Sequence, residues 1–165
     1  MPWIQNVSLK DVEKGTHFDP GFRSMLIQIV DPAMNFPKPK FEFLETARFE
    51  FLDLETRDNF AEEAKITSTQ ANQLVNLLHQ ALREDMNVIV HCVAGMCRSG
   101  AVAEVGIIMG FQDTEVPRSP NLRVKHFMMK ELGLTYDCDE PFTLNGRPYV
   151  YNDFGLMVFA DDTTS

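Results

Sequence analysis

The stretch Val90-His91-Cys92-Val93-Ala94-Gly95-Met96-Cys97-Arg98-Ser99-Gly100 sets a thiol and a guanidinium six positions apart, with small and apolar residues between them. Asn87 to His91 reads as a short buried strand, and the run Ala101 to Met109, apolar nearly all round, reads as a buried helix opening near Arg98. The segment therefore falls at a strand-to-helix junction. A helix N-terminus presents free N–H groups and a positive dipole end, and so attracts anions. A loop of small residues lets successive N–H groups converge on one point. Arg98 can offer two parallel donors to a pair of oxyanion oxygens. Cys92, at the base of this positive concavity, is expected to have its thiolate stabilised relative to a free cysteine. An oxyanion cradle with a nucleophilic sulfur suits attack on tetrahedral phosphorus or a similar electrophile.

Several further elements would position that loop. Residues 8–14 read as a short helix capped by Ser8, and Met25–Val30 as a buried strand stopped by Asp31-Pro32. A proline-punctuated loop runs to Pro39, and the Phe-rich, partly alternating stretch Phe41 to Leu54 reads as strand. Thr67 with Gln70 forms a capping box ahead of Ala71, Leu74, Val75, Leu78, Ala81 and Leu82, an amphipathic helix ending near Arg83. A last helix is expected from about Pro120 to Leu132, stopped by Gly133. Asn145-Gly146 between apolar flanks is a hairpin signal. Strands alternating with helices predict an α/β domain with a central, largely parallel sheet flanked by helices.

On these residues the chain resembles the cysteine-dependent protein tyrosine phosphatases, whose signature is His-Cys-x5-Arg-Ser/Thr-Gly, and most closely their small dual-specificity branch. Ala94-Gly95 inside the loop and Ser119-Pro120-Asn121 opening the last helix add to the match. The resemblance spans about residues 22–133. The first twenty or so residues and the extension 134–165, which holds the hairpin signal, have no assigned counterpart. The whole is read as one domain, residues 1–165.

The resemblance implies a phosphocysteine intermediate on Cys92. Arg98 and the loop N–H groups of Val93, Ala94, Gly95, Met96 and Cys97 would hold the phosphoryl oxygens. Ser99 would hydrogen-bond the sulfur as leaving group, and His91 would orient the loop and tune the thiolate. It also implies a carboxylic acid in a loop ahead of the amphipathic helix. Asp58, thirty-four positions before Cys92, is the favoured residue, because Asp58-Asn59 lies in the loop. Asp53, thirty-nine before, is the alternative and falls in a run that reads as strand. The apolar Val93 and Met96 favour phosphoproteins, phosphotyrosine first and phosphoserine or phosphothreonine after it, over inositol phospholipids.

Two rivals stay open: a catalytically silent phosphate-binding module, and a sulfurtransferase or arsenate reductase using the same Cys-x5-Arg loop. Cys97 reads as a packed small residue or as a thiol that traps an oxidised Cys92 as a disulfide. Arg118, Arg123, Lys125 and Lys130 read as a solvated helix face or as a docking surface for an acidic substrate. Glu104, inside an apolar helix, requires a partner.

Charge narrows the partners. Fifteen Lys and Arg against twenty-four Asp and Glu leave a formal charge of −9. A general nucleic-acid binder carries the opposite balance, and anionic membrane would repel this chain. An anionic substrate must be captured by a local site. Three cysteines (Cys92, Cys97, Cys138) do not make a disulfide framework. With no secretory leader and no long apolar run, a cytoplasmic monomer is expected. His17, His79 and His126 show no metal-ligand spacing with the cysteines, so neither metal nor cofactor is expected.

Overall fold

The computed structural model describes residues 1–134, 142–144, 147–151 and 157–159. The main body runs β1 (Trp3–Ser8), α1 (Leu9–Lys14), β2 (Ser24–Val30), β3 (Glu45–Glu50), α2 (Ser68–Arg83), β4 (Asn87–Cys92), α3 (Arg98–Met109), β5 (Gln112–Asp113) and α4 (Leu122–Glu131). Its five strands form one parallel sheet in the order β3-β2-β4-β1-β5. The expected α/β class and parallel sheet are thus present.

Both faces of the sheet are covered, which is why β2 and β4 read as continuous apolar runs. Met25, Ile27 and Ile29 of β2 and Val88 and Val90 of β4 meet the large core with α2, α3 and α4. Leu26 and Ile89 point the other way, onto Val7 and Val12, where α1 packs with Trp3 and Phe43. Ala71, Leu74, Val75, Leu78 and Ala81 form the buried stripe of α2, and Thr67 and Gln70 make the capping box reciprocally. Gly106 admits Ile4 closely: a Cβ there would lie 2.9 Å from Ile4 Cδ1.

The structure corrects three boundaries. β1, unassigned from sequence, is a central strand between β4 and β5, and its register sets Ser8 beside Cys92. Its signal is hidden because Gln5 and Asn6 are buried polar residues in a short strand. The expected strand over Phe41–Leu54 contracts to Glu45–Glu50, a sheet-edge strand. α4 begins two residues after Pro120, because Asn121 caps it by accepting from Val124 N.

A second sheet of β6 (Phe142–Leu144), β7 (Arg147–Tyr151) and β8 (Met157–Phe159) is antiparallel, with Leu144 facing Arg147. That register fits the expected two-residue connection, although Asn145 and Gly146 themselves lie outside the described residues.

If β1 is a central strand, truncating its buried Ile4, 1% exposed, has a core-sized cost. Ile4→Ala is expected to lose about 2–4 kcal/mol in urea unfolding. A loss within about 0.5 kcal/mol would mean that the segment is peripheral.

Candidate active site

The loop from Cys92 to Arg98 leaves β4 and opens α3. Gly95 adopts φ +77°, and a Cβ there would lie 2.4 Å from the Val7 carbonyl carbon and 2.5 Å from Ser8 N. Only glycine lets the loop fold this closely onto β1. Asn6, buried in β1, donates Nδ2 to Gly95 O at 2.8 Å and to Pro117 O at 3.2 Å. Leu9 N donates to Val93 O, Ser119 N to Met96 O and Asn121 N to Cys97 O. The loop is therefore gripped by α1 on one flank and by the Pro117–Asn121 segment on the other.

This grip sets the sulfur. Cys92 is 2% exposed. Its Sγ accepts from Gly95 N at 3.3 Å and lies 3.2 Å from Ser99 Oγ. The Gly95 N–H thus donates to the sulfur, and the thiol and the Ser99 hydroxyl share a second hydrogen bond. Val93, Ala94 and Met96 form an exposed rim of apolar side chains on the same loop.

Arg98 is buried. Its Nη1 donates to Asp31 Oδ1 and to Phe51 O, each at 2.7 Å. Nε, on the opposite edge of the guanidinium, is buried with no partner. A buried unpaired donor is costly unless an acceptor arrives, and an oxyanion would meet that need. Asp31 was visible in sequence only as a strand stop. It directly follows β2, the strand paired with β4, and Gln28 Nε2 of the same strand holds the following loop through Pro37 O.

His91 is fully buried, and burial first and the Arg98 charge second lower its pKa to about 4, against the raising effect of its bond to the Cys92 carbonyl. It is neutral at pH 7, so it brings no positive charge to the Cys92 sulfur. Nδ1 lies 3.2 Å from Cys92 O, and since a carbonyl only accepts, Nδ1 carries the proton.

The two candidate acids take different positions. Asp58 Oδ2 accepts from Glu55 N at 2.7 Å, closing its own turn, and its carbonyl accepts from the buried Lys65, which also pairs with Glu62. Asp53 is exposed beside the loop, and Asn121 Nδ2 donates to its Oδ1 at 2.8 Å. Burial first, then the negative charge of Asp53, push the Cys97 thiol up and keep it protonated at neutral pH. Asn121 also donates to Leu54 O, so one residue joins the helix cap, the acidic loop and the cysteine loop. Glu55, which sequence reasoning passed over, is half-buried, and burial leads in raising its carboxyl pKa.

No protein-family model matches the chain, and no curated protein does. Among solved structures it is similar to the human tyrosine phosphatase-like serine/threonine/tyrosine-interacting protein, with a TM-score of 0.57, 16% identity, and coverage of 81% of this chain and 93% of that one. It also matches OH1 from the Orf virus, a tyrosine phosphatase described as having triple substrate specificity, with a TM-score of 0.43, 21% identity, and coverage of 66% of this chain and 56% of that one. The first likeness shows the fold: this chain shares the fold of that tyrosine phosphatase-like protein.

His91 gives the site a pH signature. Its folded pKa lies below its ordinary value of 6.5, so acid favours the unfolded chain. Stability is full above about pH 6.5 and falls as pH drops toward 4, by up to about 1.4 kcal/mol per pH unit. Urea unfolding of His91→Gln is expected to show a shallower loss between pH 7 and 5 than wild type. Parallel losses would place the titration elsewhere.

Proposed function

We propose that this chain is a phosphatase that hydrolyses phosphomonoesters in proteins, phosphotyrosine first and phosphoserine or phosphothreonine after it, through a phosphocysteine on Cys92. The observation that carries the reading is one loop holding a donor-supported sulfur and, six residues on, a buried guanidinium with an open Nε.

Cys92 Sγ attacks phosphorus, the S–P bond forms, and the bond to the leaving oxygen breaks. Arg98 and the loop N–H groups hold the non-bridging oxygens where charge collects. Asp53 gives its proton to the leaving oxygen, a role supported by its place against Cys97 and Asn121. Water then attacks phosphorus, Asp53 takes its proton, and the S–P bond breaks. Ser99 hydrogen-bonds the departing thiolate, and inorganic phosphate leaves. No step calls on a metal. Asp58, favoured from sequence, serves the turn that carries the acidic loop.

A silent phosphate-binding module is the second reading, favoured by the name of the human structure, which is phosphatase-like and an interacting protein. Assays on an aryl phosphate and a phosphotyrosine peptide, with EDTA present, separate the two. Activity is expected in wild type and none in Cys92→Ser. Asp53→Asn should lose about 10²–10⁴ in rate, most on poor leaving groups, together with the basic limb of the pH profile. Asp58→Asn and Glu55→Gln should keep that limb. Loss of the limb in Asp58→Asn alone would return the acid to Asp58. Vanadate binding without turnover in wild type would establish the silent module.

A further inference from the structure

Most cationic side chains near the site are already committed. Arg118 pairs with Asp113 and lies near Glu104, and Lys125 pairs with Glu104. Arg123 donates to Ile66 O and Thr56 Oγ1 and stacks on Phe127. The basic cluster read from sequence is thus largely an internal lattice, which also supplies the partner that Glu104 required.

A different set of cations is free. Lys10, Lys14, Lys38 and Lys40 are exposed, and none makes an ion pair among the described residues. They form one wall. Val12 of α1 is buried, so Lys10 and Lys14, four apart, share the outward face of that helix. Lys40 N donates to Val12 O, and the Lys40 stem lies across Gly15. Glu13 and Glu42 are the exposed carboxylates interleaved with the four lysines.

The wall stands beside the loop that holds the sulfur. α1 starts at Leu9, whose N–H is bonded to Val93 O, and a six-residue helix is only about 9 Å long. The segment carrying Lys38 and Lys40 descends from Asp31, the partner of Arg98. The acidic loop beyond Leu52 carries Asp53, Glu55, Asp58, Glu62 and Glu63 against Arg57 and the buried Lys65, which pairs with Glu62. The loop surroundings are therefore polar in one direction, within a chain of net charge −9.

We infer that the lysine wall of α1 and residues 38–40 recognises an acidic segment next to the phosphorylated side chain of a protein substrate. The inference rests on the phosphatase reading for its site and adds the substrate's neighbouring charge. The acidic segment lies over the lysines, because the carboxylates of the other loop repel it.

The test compares kcat/KM for two phosphotyrosine peptides of equal length, one with acidic and one with neutral flanks, in wild type and Lys38→Glu/Lys40→Glu. Wild type is expected to prefer the acidic peptide by roughly three- to tenfold at low salt. The variant should lose that preference while its rate on a small aryl phosphate is unchanged. A wild type indifferent to flanking charge, or a variant with the same preference, overturns the inference. So does lysine-dependent binding to phosphatidylserine vesicles with peptide preference unaltered, which would make the wall a membrane contact. If wild type does not hydrolyse the aryl phosphate, the phosphatase reading has failed. The same peptide comparison, read as fluorescence anisotropy on Cys92→Ser, then decides the lysine wall by itself.

Discussion

The contact between Gly95 and the backbone of β1 governs the geometry of the cysteine–arginine loop. A positive φ at that residue turns the loop back on itself, and Val7 and Ser8 leave no room for a side chain there. With its backbone pressed against a central strand, the loop can aim Gly95 N at the sulfur and lead directly into α3. Asn6 fastens the same turn from beneath, and Asn121 fastens the far end of the loop to the acidic loop. The sheet order follows from this need: β1 lies beside β4 so that both the cysteine and its backing come from neighbouring strands.

Electrostatics then assigns work to the groups so placed. Burial neutralises His91 and keeps Cys97 protonated, which leaves Arg98 as the buried cation beside Cys92. Asp31 and the Phe51 carbonyl take one nitrogen of that cation and leave Nε open. The fork is thus oriented before any ligand arrives, and the orienting cost does not fall on binding. Asp53 sits at the edge of this arrangement, exposed and hydrogen-bonded to Asn121.

Much of this was legible in the residues. The spacing of Cys92, Arg98 and Ser99, the Thr67–Gln70 cap and the apolar run of α3 each encode local structure through patterns that short-range physics reads directly. β1 was not legible, because its strand identity rests on Asn6 and Gln5 finding partners on distant segments. Asp31 looked like a strand stop, and its pairing with Arg98 spans sixty-seven positions. The two candidate acids differ in their local turns, and the Glu55 N–H that bonds to Asp58 has no sequence signature.

The central claim is that Cys92 takes up a phosphoryl group held by the loop. Acid quench of Asp53→Asn during turnover of a phosphotyrosine peptide, followed by peptide mass spectrometry, tests it most directly. The account predicts one added phosphoryl group on the peptide containing Cys92, absent in Cys92→Ser. Turnover with no such adduct, or with the group on Ser99 instead, would contradict it.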